Sequence, residues 1–242
     1  MFNRRNKLTK KLQKGQLKGG SLVSFSSPKS IVAEQFRSIR TNIEFSQLDK
    51  QIKSLLVSSS IPAEGKSTIS ANLAYVMGQN EKRVLIVDSD LRKPNVHRTF
   101  KLNNEVGLTT LLANSQLDYK LIIQKSRELG LYLLPSGPIP PNPSELLSSK
   151  RMTTLMEQLH QDFDYIIYDA PPINAVTDPQ ILASKVDGVL LVVRDGYSRK
   201  EEVREAKKVL DKANANVIGY VLNSRTGSES KGYYEYYESQ HK

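Results

Sequence analysis

The chain has no cysteine, which excludes disulfides and every metal site built on thiolates. Its three histidines, His97, His160 and His241, are scattered without ligand spacing and read as surface or satisfied side chains. No apolar run approaches the roughly 20 residues that a membrane-spanning helix needs. The basic N-terminus lacks the apolar centre of a secretory signal, so a cytoplasmic chain is expected. Acidic residues are missing from the first twenty positions, whereas Arg4, Arg5, Lys7, Lys10, Lys11, Lys14 and Lys18 all lie there. Such a head cannot bury enough apolar surface to fold by itself. It reads as a solvated arm, with weak docking to an anionic surface as its functional alternative. Much of the net charge of +10 resides in that arm, so the body is not strongly basic and no nucleic-acid partner is expected.

What is present is a soluble α/β pattern. The 242 residues are 38% hydrophobic and 25% charged, enough for one large domain with polar extensions. The division expected is a basic arm over 1–26, a domain over 27–224 and a polar tail over 225–242. Apolar strands are predicted at 52–57, 83–88, 131–134, 165–168, 189–193 and 217–222. Helices are predicted at 30–45, 66–78, 108–113, 119–125, 144–160, 178–184 and 198–212. Strands alternating with helices imply a doubly wound, mostly parallel sheet covered on both faces.

The organising stretch is Ser60-Ile61-Pro62-Ala63-Glu64-Gly65-Lys66-Ser67-Thr68, between a predicted strand and a predicted helix. A loop with Gly-Lys-Ser in that context presents backbone N–H groups and a helix N-terminus to phosphates. Ser60, Ala63, Glu64, Gly65, Lys66, Ser67 and Thr68 are therefore candidate nucleotide contacts. Lys66 reaches the terminal phosphates and Ser67 offers a hydroxyl to phosphate-bound Mg²⁺. The first position is Ser60 rather than the usual glycine.

In a parallel sheet, ligands sit beyond the carboxyl ends of the strands. Asp88 and Asp90, two apart after one apolar strand, leave it on the same side. Asp169 ends another apolar strand. A lone strand-end aspartate reads better as a helix cap. Their company with Gly-Lys-Ser makes Asp88, Asp90 and Asp169 candidate metal or catalytic groups, and Asp178 is a weaker third signal. In the tail, Tyr233, Tyr234, Tyr236 and Tyr237 crowd into five residues. They suit an edge strand, a docking peptide or a set of phosphate acceptors, and phosphorylation would reverse the local charge. On the helix at 30–45, Glu34, Arg37 and Arg40 are three apart. By spacing alone this is local pairing on a solvated face.

Together these residues resemble the bacterial tyrosine kinases (BY-kinases) of capsule and exopolysaccharide systems, whose fold is that of MinD/ParA-like P-loop NTPases. Ser60–Ser67 resembles their Walker A loop, Leu85–Arg92 their Walker A′ motif, Tyr165–Pro172 their Walker B motif and Tyr233–Tyr237 their C-terminal tyrosine cluster. Glu34, Arg37 and Arg40 match the family's Glu-x-x-Arg-x-x-Arg ring-interface element, which favours an intersubunit role over local pairing. The resemblance implies an ATP- and Mg²⁺-dependent protein-tyrosine kinase. Lys66, Asp88, Asp90, Arg92 and Asp169 are its catalytic residues, with Asp88 the base. Ser67, Asp90 and Asp169 hold the metal, and Asn223 is an adenine contact by analogy. It further implies tail phosphorylation between subunits of a ring, a membrane-bound adaptor of the polysaccharide co-polymerase type and a cognate tyrosine phosphatase. The chain would then lie at the inner face of the membrane through its adaptor. The rivals are a non-catalytic regulatory module, whose nucleotide only sets assembly and whose tail is a docking peptide, and a positioning ATPase of the MinD/ParA type. Those proteins carry a lysine early in the loop, where this chain has Ile61.

Overall fold

A computed structural model describes residues 21–46, 51–79 and 81–224. The arm's basic residues and the tail tyrosines lie outside the described residues. Seven strands form one sheet: β1 (Ser54–Ser59), β2 (Val84–Asp88), β3 (Gln124–Ser126), β4 (Leu131–Leu134), β5 (Tyr165–Asp169), β6 (Gly188–Arg194) and β7 (Val217–Asn223). Their order across the sheet is β3-β4-β2-β5-β1-β6-β7. All neighbours are parallel except the short edge pair β3 and β4. The mostly parallel, doubly wound sheet expected from the sequence is the architecture observed.

Ten helices accompany the sheet among the described residues: α1 (Val23–Ser26), α2 (Ile31–Phe45), α3 (Lys66–Met77), α4 (Val96–Phe100), α5 (Leu108–Ala113), α6 (Tyr119–Ile122), α7 (Pro143–Ser148), α8 (Lys150–Asp162), α9 (Asp178–Ala183) and α10 (Lys200–Lys212). Strand side chains alternate between two cores, as the period of two requires. Leu56, Leu85, Val87, Ile166, Tyr168 and Leu191 face α5 to α10. Leu55, Val57, Val84, Ile86, Ile167 and Val192 face α1 to α4. None of the helices is long and apolar enough to cross a membrane.

Four local expectations differ from the structure. The domain begins before residue 27: Leu22 and Phe25 are buried in the core, and Phe25 meets Tyr75 edge-to-face at 5.6 Å. The helix expected over 144–160 is two helices. Ser149 adopts an extended backbone, and its hydroxyl donates to the Leu146 carbonyl at 2.6 Å and accepts the Met152 N–H at 3.2 Å. One serine thus closes α7 and caps α8, a local bond that competes with helix continuation. The helix expected over 119–125 stops at Ile122, and the chain continues as β3 on the edge of β4. Helix α4 lay unrecognised in a connecting region. Its first N–H groups, from Asn95 and Val96, are satisfied by the side chain of Asp88, a partner supplied by tertiary structure.

Helix α3 carries the buried residue Asn72, which ties the N-terminal segment to the body. Its amide donates to the Ser21 carbonyl at 2.6 Å and to the Thr68 carbonyl at 2.9 Å, and its oxygen accepts the Ser24 N–H at 2.9 Å. Asn72→Ala removes these three side-chain bonds from a buried site. It should cost about 1–3 kcal/mol of stability, read as a lower midpoint in urea unfolding. An unchanged midpoint would show that the tie carries no weight.

Candidate active site

The site is assembled where β2, β5 and β1 end side by side. Register sets it: Asp88 lies opposite Asp169, and Asp169 opposite Val57. Asp88 shares the parity of Val84 and Ile86, and Asp169 that of Ile167. Both therefore emerge on the face that α3 covers. Ser89 locks the two strand ends together, its N–H and hydroxyl both donating to the Asp169 carbonyl, at 2.9 and 2.8 Å.

The loop from Ser60 delivers Lys66 to this point. Gly65 is the N-cap of α3 with φ 93°, a left-handed conformation suited to glycine. A Cβ there would also lie 2.3 Å from the Asn223 side-chain amide, which would have to move, so the backbone requires glycine and the present place of Asn223 depends on it. Ala63 is left-handed too, with φ 66°. Lys66 Nζ lies 3.1 Å from Asp90 Oδ2 and 3.7 Å from Asp169 Oδ1, and 3.4 Å from Ser67 Oγ.

The electrostatics follow from gathering three buried carboxyl groups around one partly buried ammonium. Burial by itself would lower the Lys66 pKa. The Asp169 and Asp90 carboxylates outweigh it and hold the ammonium above its ordinary value. Asp169 is raised, first by burial, with Lys66 opposing. Asp88 is pushed up to about 8 by burial and by the adjacent Asp169 carboxylate. Asp88 Oδ2 accepts N–H groups of Asn95 at 3.0 Å and Val96 at 2.9 Å. Asp90 Oδ1 accepts the Lys93 N–H at 3.0 Å, and Asp169 Oδ1 accepts the Ser70 hydroxyl at 3.1 Å. Asp88 Oδ1 and Asp169 Oδ2 are buried with no partner. Two orphaned hard oxygens beside the Ser67 hydroxyl and Asp90 are the donor chemistry that Mg²⁺ takes. No group of three or more His, Asp or Glu forms a metal cage among the described residues. Such a cation would therefore need oxygens of a bound phosphate to complete its shell.

Other predicted residues stand elsewhere. Arg92 is turned from this cluster toward Asp178. Its Nε and Nη2 donate to the two carboxylate oxygens at 2.8 and 3.0 Å. Ser144 Oγ donates to the same carboxylate at 2.6 Å. Burial would raise the Asp178 pKa, but the bonds from Arg92 and Ser144 more than offset it and hold it below the usual value. Asn223 lies over Gly65 and donates to the Glu64 carbonyl at 2.8 Å. Ser60 and Glu64 are buried and hydrogen-bonded to each other. Thr68 lies in the first turn of α3, its carbonyl accepting from Asn72. Glu34, Arg37 and Arg40 lie on α2, outside the cluster. Arg37 Nε donates to Glu34 at 2.7 Å, and Arg40 Nη1 to the Val76 carbonyl at 2.9 Å. Ser70 and Ser144, which touch site carboxylates, carry no motif that could have singled them out.

The raised pKa of Asp88 has a consequence for stability. The unfolded chain ionises Asp88 near pH 4, while the folded chain keeps it protonated to about pH 8. Between those values the unfolded state binds fewer protons, so this group's contribution falls as pH rises and levels off above 8. Asp88→Asn mimics the protonated carboxyl. In urea unfolding of the nucleotide-free protein it should flatten this slope and leave the variant more stable than wild type at pH 8.5. A parallel pH profile would refute the assignment.

Comparison with known proteins adds the following. A family model described as an AAA domain matches residues 63–216. The chain is similar to the tyrosine-protein kinase YwqD of Bacillus subtilis (strain 168). The two are 45% identical over 216 residues, covering 88% of this chain and 91% of that one. Among solved structures it resembles the chimerical protein CapA2B2, with TM-score 0.81 and 39% identity over 85% of this chain and 90% of that one. More distantly it resembles the cell division ATPase MinD of Pyrococcus furiosus. There the TM-score is 0.59 and the identity 25%, over 72% of this chain and 73% of that one.

Proposed function

The chain belongs to the bacterial tyrosine kinases, and from that premise we propose that it transfers the terminal phosphoryl group of ATP to tyrosine hydroxyls. The acceptors are Tyr233, Tyr234, Tyr236 and Tyr237 of a neighbouring copy's tail, in control of capsular or extracellular polysaccharide synthesis. The observation that carries this reading is the partly buried Lys66 beside the buried Asp88, Asp90 and Asp169, at a Gly-Lys-Ser loop.

Each residue has a task. The loop N–H groups from Ala63 to Thr68 receive the phosphates at the positive end of α3. The Lys66 ammonium, kept charged by its carboxylate neighbours, stabilises negative charge that develops on the phosphoryl oxygens and the leaving ADP. Asp88 takes the tyrosine proton. With a pKa of about 8 it is protonated at neutral pH in the nucleotide-free chain, so it serves as base only once ionised, a form that the positive charge of bound Mg²⁺ would favour. Ser67, Asp90 and Asp169 would hold Mg²⁺, which would neutralise phosphate charge when bound. Arg92, tied to Asp178, steadies the loop that carries Asp90. Asn223 bounds the loop at Gly65 and lies beside the adenine.

Glu34, Arg37 and Arg40 would join subunits in a ring, where each tail reaches a neighbour's site. Phosphorylation adds roughly −1.5 to −2 charges per tyrosine, which loosens such a ring. A membrane-bound adaptor of the co-polymerase type would recruit and activate the kinase at the inner membrane face, and a tyrosine phosphatase would reset the tail. Ile61, in place of the early lysine of MinD-type loops, favours this reading over a positioning ATPase.

Intact-mass analysis of the purified chain after incubation with Mg²⁺ and ATP tests the proposal. Wild type should gain phosphate on tail tyrosines, and replacing all four with Phe should remove that gain. Lys66→Met should lose on the order of a thousandfold in rate with unchanged circular dichroism. ATP hydrolysis without phosphotyrosine would identify a positioning ATPase instead. Tail labelling by Lys66→Met would refute the site.

A further inference from the structure

Glu64 was expected to touch the nucleotide, yet its buried carboxylate serves two loops of the protein. Ser60 Oγ donates to both carboxylate oxygens at 2.9 Å, and the Ile61 N–H donates to Oε2 at 2.8 Å. Ser198 Oγ donates to Oε1, and the Arg194 N–H reaches the same oxygen at 3.4 Å. Arg194 and Ser198 flank the turn between β6 and α10, about 130 residues away along the chain. Two further bonds close the circuit. Arg194 Nη1 donates to the Ala63 carbonyl at 3.3 Å. The Asp195 N–H donates to the Asn223 carbonyl at 2.9 Å, while the Asn223 amide holds the Glu64 carbonyl. The loops after β1, β6 and β7 are thereby fastened to one another.

The fastening has a local cost to offset. Ala63 sits at φ 66°, a conformation that costs a non-glycine residue energy and persists only where its surroundings over-determine it. Ala63 and Glu64 are the residues that the circuit grips. Loop N–H groups converge on a phosphate only while this backbone shape is kept.

We infer that Glu64 is a positioning residue for nucleotide binding: clamped to Ser60, Ile61 and Ser198, its carboxylate holds Ala63 left-handed and keeps the loop shaped for phosphate before ATP arrives. The inference rests on the reading of residues 60–68 as the ATP site. It also gives Ser60 a role. The serine that replaces the usual glycine supplies a hydroxyl to the clamp. The turn between β6 and α10 becomes a lever on ATP affinity, since displacing Ser198 releases one side of Glu64.

Calorimetric Mg²⁺-ATP titrations and steady-state tyrosine phosphorylation by the full chain test this. Glu64→Ala should raise the KM for ATP on the order of tenfold, with kcat at saturating ATP within about twofold of wild type. Glu64→Gln keeps one acceptor oxygen, which can serve both the Ser60 hydroxyl and the Ile61 amide, and turns an NH₂ toward the Ser198 hydroxyl, which can accept from it, so it should recover most of the affinity. Ser198→Ala should weaken ATP binding about threefold alone and add nothing in the Glu64→Ala background, because both act through one contact. Fully additive effects, or a fall in kcat with unchanged KM, would overturn the inference. So would unchanged ATP affinity in Ser198→Ala, a mild variant that decides the matter even if Glu64→Ala fails to fold. A wild-type chain that binds no ATP would instead sink the nucleotide reading itself, an outcome separate from failure of the clamp.

Discussion

The ammonium of Lys66 among three buried carboxylates is the interaction on which the rest of this structure depends. Removing ionised groups from water costs several kcal/mol each, and one cation cannot balance three anions. The protein resolves this by sharing. Lys66 lies closest to Asp90, then to Asp169, while Asp88 is raised to about 8 and so carries a proton at neutral pH. The result is a compact polar centre at the ends of the strands, its unused capacity concentrated in two oxygens without a hydrogen-bond partner. A centre with spare acceptor oxygens and a retained cation suits phosphate chemistry and is a poor device for stability alone.

Holding that centre takes structure on every side. Parallel pairing of β1, β5 and β2 brings the aspartates level, and Ser89 fastens two of the strand ends. The exit from β2 is braced from outside by Arg92, whose guanidinium spans to Asp178 at the start of α9 and is bonded to Ser144 of α7. On the other flank the Glu64 clamp and Asn223 brace the loop that carries Lys66. Both braces use buried carboxylates that the reacting centre does not contain, so the buried acidic side chains among the described residues divide into those that face the phosphate site and those that hold its walls.

Much of this was legible beforehand where a signal is local. Apolar runs marked six of the seven strands, and Gly-Lys-Ser between strand and helix marked the loop. The misses share a cause. β3 has too few residues for a pattern and exists only because β4 offers an edge. Ser149 splits a continuous apolar periodicity by a side-chain bond that spacing does not reveal. Leu22 and Phe25 follow a polar head and have no periodic neighbours, so their place in the core depends on the groove between α2 and α3. Glu64 looked like a phosphate-loop residue because motif position says nothing about which way a side chain turns.

The sequence by itself determined the sheet class, the phosphate loop, the three strand-end aspartates and the family, because each rests on periodicity or on residues adjacent in the chain. Only the tertiary structure decided that Asp88 and Asp169 meet Lys66 on one face, that Arg92 answers to Asp178, and that Glu64 joins loops about 130 residues apart. Those outcomes depend on strand order and register, which sum weak contacts over the whole chain, and on desolvation, which exists only once the surrounding layers have closed.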